Sequence, residues 1–297
     1  MRALAIESAG GSLQLDGTQG YSAKLGVRGT GIVGVSVQWA EGAGDGKSFR
    51  GGKTLARQFD LPVKIYADPA NWEDRELVRT RYAKLAQIMS LRNAPVRVTL
   101  DLDAGSPTGD RWFADMVRVG GGGFDWATDT DGRSYIKTTF TMEAGDPYWT
   151  SEDQESKVIS PTGVGLGILA PGVSLVQLRV GSTSGFGDTT IINSGEVEAY
   201  PVWTFEAPFS SFTMTSEYGE TLEWVGAVAK STGYIRVNTQ DGTVVDETGA
   251  NRYAELGDAP KFWAVRPGTT EASVVLNDAG AGTRATVVWA RRREVLF

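Results

Sequence analysis

Along most of the 297 residues, apolar side chains recur at every second position in short runs, and one segment alone switches to a period of three to four. Period-two alternation describes strands that bury one face, so the chain is confined to mainly β architectures. In VGVSVQWA, Val33, Val35, Val37 and Trp39 share one face and Gly34, Ser36 and Gln38 the other. In LARQFDLPVKIYA, Leu55, Phe59, Leu61, Val63 and Ile65 alternate with Gln58, Asp60, Pro62 and Lys64. Both segments predict half-buried strands. Between them, residues 41–54 read as the glycine-rich tip of a long β-hairpin, its lysines solvated and its glycines supplying positive φ.

That tip, GDGKSFRGGKT, contains Gly-Lys-Ser and Gly-Lys-Thr, the end of a phosphate-binding loop. The spacing misses by one: the leading glycine falls on Glu41 for one candidate and on Lys47 for the other. The loop also runs into a strand, where phosphate binding requires a helix N-terminus. GTGIVG, residues 29–34, matches the dinucleotide fingerprint by letter and fails on the same ground.

The chain has no cysteine and no histidine. This removes disulfides, thiolate and imidazole metal ligands, the Ser-His-Asp triad and the usual general acid and base. A formal charge of −7 opposes general attraction to nucleic acid or anionic membranes. Arg291-Arg292-Arg293 is the one dense basic run. No apolar stretch has membrane-spanning length, and the N-terminal residues lack a signal-peptide core, so synthesis in a cytoplasm and no membrane insertion are expected.

The helical segment follows Asn71, an expected N-cap, and places Leu77, Val78, Tyr82, Leu85, Ile88 and Met89 on one stripe. Arg81 falls inside that stripe, as a snorkelling stem or as a contact to a neighbouring subunit. Asp101 and Asp103 alternate with Leu100 and Leu102, which places both carboxylates on the polar, solvated face of a strand. RWFADMVRV and SYIKTTFTM predict a strand pair joined through Gly120–Gly123 and the turn Asp131-Gly132. Asp129-Thr130-Asp131-Gly132 has the heart of a calcium loop without its first and last ligands. Residues 151–163 are polar and aperiodic and predict a linker between domains 1–150 and 164–297. Beyond them about ten short strands, LVQLRV and KFWAV among them, predict a β-sandwich.

NSGEVEAYPVWTFEAPFSSFTMT (193–215), YIRVNTQDGTVV (234–245), NRYAEL and FWAVRPGTTEASVVL (262–276), in that order, resemble the distal tail proteins of long flexible-tailed (siphovirus-type) bacteriophages. The hairpin loop, the Arg57-x-Phe59-x-Leu61 strand and Asp146-Pro147-Tyr148-Trp149 add to the resemblance. It implies a tail-tube-like β-sandwich or barrel with one flanking helix, assembling side by side into a hexameric ring, followed by a galectin-like, jelly-roll-type sandwich. It further implies a virion structural protein at the distal end of the tail, without cofactor, metal or catalytic residue. The implied partners are the tail tube protein, the tail-tip hub protein, the tape measure protein, and a receptor-binding protein or host glycan, with DNA passing through the lumen unbound. Within that reading, Gly44, Asp45, Gly46, Lys47, Ser48, Phe49, Arg50 and Gly51 are the expected inter-ring contact, and Arg81 the expected subunit contact. A rival reading is a carbohydrate-binding module that uses tryptophan platforms, with Trp203 and Trp263 as glycan contacts.

Overall fold

A computed structural model describes residues 2–23, 27–42, 44–67, 74–102, 110–128, 134–160, 187–226, 229–280 and 282–296. It is mainly β, with one α-helix among the described residues. The chain forms two compact units, residues 1–152 with 293–297, and residues 153–292.

The first unit contains β1 (Arg2–Ser8), β2 (Gly11–Gln14), β3 (Tyr21–Ser22), β4 (Val35–Glu41), β5 (Lys47–Thr54), β6 (Arg57–Tyr66), α1 (Arg75–Ile88), β7 (Val96–Asp101), β8 (Arg111–Thr128) and β9 (Ser134–Ala144). β10 (Trp149–Ile159) begins in it. One run of strands is ordered β10-β8-β7-β1-β2 and another β3-β6-β9-β8, so β8 serves both without closing a barrel. β6 pairs antiparallel with β9 from Arg57↔Ala144 to Tyr66↔Tyr135. The strict alternation buries Phe59, Leu61, Val63 and Ile65 against Ile136, Phe140 and Met142 in one core.

α1 lies against β6, β9 and β2 and buries Val78, Leu85 and Ile88. Its cap is Asp74, whose carboxylate accepts the N–H of Leu77 at 2.8 Å. The predicted cap Asn71 lies outside the described residues.

The glycine run 120–123 does not turn the chain. It sits inside the single 18-residue strand β8, where register shifts against β9 mark bulges at 118–120 and 121–124. Gly121 has φ +72°, and a Cβ there would lie 2.1 Å from the Thr139 carbonyl oxygen. Four glycines in a row suggest a turn, but here they let two backbones approach closely across a bulge.

The predicted linker is largely strand. β10 buries Trp149, Ser151 and Ile159 and exposes most positions between them. Its polar side chains hide the period, because ladder hydrogen bonds rather than burial hold it in place. Residues 161–163 lie outside the described residues. The units divide inside β10, and residues 293–297 join the first unit.

The second unit holds β11 (Asp188–Asn193), β12 (Val202–Glu206), β13 (Ser211–Ser216), β14 (Thr221–Trp224), β15 (Tyr234–Asn238), β16 (Thr243–Asp246), β17 (Gly268–Asn277) and most of β18 (Arg284–Arg293). One sheet is ordered β11-β17-β13-β14, and the other contains β16-β15-β12-β18. Inward residues of both, among them Trp203, Phe205, Phe212, Met214, Trp224, Val237 and Val274, form one core. Phe205 and Phe212 stack at 3.8 Å between ring centroids. The predicted strand KFWAV is not regular. It buries Trp263 and Val265 and makes one isolated bridge, Val265 to Ala199. The predicted strand LVQLRV, residues 175–180, lies outside the described residues.

After β16 the chain turns around Asp246. Its buried carboxylate accepts from the Thr248 hydroxyl at 2.6 Å, the Thr248 and Ala250 amides at 2.9 and 3.1 Å, and Arg252 Nε at 2.8 Å. These bonds, the Thr248 hydroxyl first, hold its pKa well below the ordinary 3.8.

Gly121→Ala is expected to destabilise by about 2 kcal/mol or more through φ strain and backbone collision. Gly123→Ala, with nothing within 4 Å of its Cβ position, should stay within about 0.5 kcal/mol in the same thermal melts. A carboxylate whose folded pKa is depressed stabilises the fold above its unfolded pKa and loses that contribution as pH falls through the folded value. Denaturant unfolding of the second unit, followed from pH 5 down, should therefore weaken as pH drops below 3.8, and Asp246→Asn should flatten that part of the profile.

Candidate assembly surface

β4 and β5 form a two-stranded sheet of their own. The register runs from Val35↔Thr54 to Glu41↔Lys47, with one shift between Gln38 and Trp39 that leaves Arg50 as the extra residue of a bulge. Gly51, at φ +147°, accommodates the bulge, and Gly46, at φ +95°, the turn. Most of the predicted tip is thus strand. Gly44, Asp45 and Gly46 make the turn, while Lys47, Ser48, Phe49, Arg50 and Gly51 lie on β5.

Alternation puts Val35, Val37 and Trp39 on one face. Phe49, opposite Trp39, meets it edge to face at 5.9 Å. This face was expected to be half buried. Only Val33 is buried, whereas Trp39 is 57% and Phe49 63% exposed, and Ile32 and Leu55 at the base are exposed as well. The other face carries Ser36, Gln38 and Lys53. Glu41 and Lys47 pair at 3.1 Å beside the turn. An isolated hairpin is marginal in water, and a contiguous apolar face of this kind marks an interaction surface.

The base of the hairpin is fixed by one buried cation. Arg57 sits in phase with Phe59 and Leu61 and is 2% exposed. It donates Nε to the Pro147 carbonyl at 2.7 Å, Nη1 to the carbonyls of Gly29 and of Gly31 at 3.0 Å, and Nη2 to that of Glu294. Its guanidinium lies 5.4 Å from the Trp149 ring centroid. Burial lowers the Arg57 pKa, opposed by the charges of Glu294 and Asp146. Arg28 and Asp60 exchange backbone bonds of 3.2 and 3.0 Å, and the Leu55 amide reaches the Gly34 carbonyl at 2.8 Å. Gly29 of the dinucleotide-like run has φ +98°, and a Cβ there would meet the Gln58 carbonyl oxygen at 2.2 Å. That glycine serves close packing against β6, not a nucleotide. Its partner Arg57 was not singled out as a site from the sequence, although a charged residue in phase with buried positions is a legible signal.

Arg81 is half-buried and donates to the Tyr66 carbonyl of its own chain, while the Tyr21 hydroxyl donates to the Arg81 carbonyl at 3.0 Å. Trp203 and Trp263 are 0% and 1% exposed and pack edge to face at 5.5 Å. An indole with no exposed face offers no platform, so neither is a glycan contact. Asp101 is 8% exposed, not solvated, with Arg111 Nε 3.8 Å from its carboxylate. Asp103 and the calcium-like run 129–132 lie outside the described residues. Among the described residues no group of three acidic side chains is placed to hold a metal ion.

No protein-family model and no curated protein matches the chain. Solved structures do. The crystal structure of SPP1 Dit (gp 19.1), described as a paradigm of hub adsorption apparatus in Gram-positive infecting phages, aligns with TM-score 0.66 and 14% identity over 97% of this chain and 98% of its own. A chain of the phage P2 baseplate in its activated conformation with Ca aligns over 100% of both chains, with TM-score 0.57 and 11% identity. The same baseplate with Sr gives 0.55 and 11%. The chain therefore has the fold of a phage distal tail (Dit) protein.

Arg57→Met would leave four carbonyls without their donor and is expected to cost at least about 3 kcal/mol in urea unfolding. Arg57→Lys should not restore it, because an ammonium lacks the planar fork that reaches these carbonyls together.

Proposed function

We propose that this chain is a structural subunit of a phage tail, a ring protein that joins the tail tube to the tip hub around the channel through which DNA leaves. The observation that carries this reading is the uncovered apolar face of the β4–β5 hairpin, on a fold shared with proteins of phage hub and baseplate assemblies. Covering Val35, Val37, Trp39 and Phe49 would contribute about 1.5–3 kcal/mol for each fully buried side chain. The hairpin, with its turn at Gly44–Gly46, is the proposed contact to the adjacent tail ring, and the face around Arg81 a proposed contact between subunits. Six copies side by side would form the ring, with tail tube, hub and tape measure proteins as neighbours. A formal charge of −7 per copy supports a lumen that DNA crosses without adhering. No catalytic step belongs to this reading.

Light scattering and electron micrographs of the purified protein, alone and with its tube and hub neighbours, should show hexameric rings. Protein that stays monomeric at high concentration and is absent from purified particles overturns the proposal. The double change Trp39→Ser with Phe49→Ser should cost no more than about 1 kcal/mol in stability, since both rings are exposed. It should nevertheless block joining to the adjacent ring; normal tails from this variant would remove the hairpin from the interface.

A further inference from the structure

Each strand of the β4–β5 hairpin has a second edge, and among the described residues no strand pairs with either. The two edges differ in sequence. β5, KSFRGGKT, carries Lys47 and Lys53, two consecutive glycines and the bulge at Arg50. Charge, glycine and a bulge all keep a sheet edge from pairing further. β4, VSVQWAE, has none of these protections: no lysine, proline or glycine interrupts it, and its one charge, Glu41, stands at its end and already pairs with Lys47. The main chain shows which groups β4 offers. The Leu55 amide donates to the Gly34 carbonyl at 2.8 Å, so Gly34 faces the β5 side. The Ser36 carbonyl does likewise, 2.9 Å from where a Cβ would stand on Gly52. Successive residues of an antiparallel strand alternate in the direction of their main-chain groups. The N–H and C=O of Val35, Val37 and Trp39 therefore point away from β5, and these are the residues whose side chains form the exposed apolar face.

An arriving strand would satisfy this main chain and cover these side chains in one step. From Val35 to Ala40 the edge carries no charge. Its electrostatic complement is an uncharged segment, because a charged one would lose hydration with no counter-charge along the edge to replace it. We infer that β4 accepts, by strand addition, an extended uncharged segment with apolar residues at alternate positions, contributed by the protein of the adjacent tail ring. The inference rests on the proposed role of the hairpin as the contact to that ring. It adds that the contact is a shared sheet with main-chain bonds to Val35, Val37 and Trp39, and not side-chain packing alone.

Hydrogen exchange read by mass spectrometry, on the purified chain and on assembled tails, tests this directly. The peptide covering residues 34–41 should exchange freely at about three amides in the purified chain and be protected at them in tails. Val37→Pro removes an N–H that the hairpin's own ladder does not use, so the purified variant should melt within a few degrees of the parent. Its joining to the adjacent ring, counted in electron micrographs, should fall about tenfold or more. Val37→Thr, which keeps the N–H and the branched shape, should retain most of that joining. If Val37→Pro does not fold, the exchange comparison decides alone, since it uses the unaltered chain. Protection already present in the purified chain would place a second copy on the edge and overturn the proposal. Normal tails from folded Val37→Pro, or amides left unprotected in tails, would overturn it as well. If Trp39→Ser with Phe49→Ser blocks joining while those amides stay unprotected, the hairpin is the ring contact without strand addition. If that double variant also joins normally, the proposed role of the hairpin itself falls.

Discussion

The first unit is organised around a buried guanidinium that, among the described residues, has no carboxylate fork to answer it. Arg57 is surrounded by peptide carbonyls drawn from residues 29 and 31, from Pro147 and from Glu294. A planar group with five N–H donors satisfies all of them at once, which no neutral side chain of that size does. The cost of desolvating the charge is offset only while every one of those segments is in position. The entry to the hairpin, the approach to β10 and the chain leaving β18 are thereby held to one point. The hairpin beyond can project without a core of its own because its root is fixed.

How much of this was legible follows from what each element buries. β6, β9, β12, β13 and β17 bury one face to a core, so their alternation is present in the residues. β10 is held by ladder bonds and by Trp149, Ser151 and Ile159; its exposed polar positions erase the period, and it reads as linker. Residues 262–265 show the converse error. Trp263 and Val265 are buried with strand-like spacing, yet the backbone makes only one bridge. Apolar spacing reports burial, not pairing. The hairpin face was read as apolar and half-buried; it is apolar but exposed within this chain, because alternation reports an apolar face and not what covers it. Arg57 shows the limit for polar sites: its phase was visible, while its acceptors lie up to 237 residues away.

Glycine does different work at different places here. At residues 29 and 121 it removes a Cβ that would strike a carbonyl oxygen, and at 226 and 233 one that would strike a side chain. At 46 and 51 it supplies a dihedral with open space around it. The first group acts through close approach in addition to backbone freedom, the second through backbone freedom alone. Motif matching conflates them, and for that reason a run such as GTGIVG imitates a nucleotide loop where Gly29 instead packs against β6.

Residues 293–297 belong to the first unit although they follow the whole of the second. Leu296 is buried in the first core, its amide bonds the Thr30 carbonyl at 3.0 Å, and Glu294 supplies an acceptor to Arg57. On the ribosome the order of completion is therefore inverted. The second unit has all its residues before the first does, and Arg57 waits through most of synthesis for its last carbonyl. The anchor at the root of the hairpin is therefore complete only once residue 294 has been made, after every residue of the second unit.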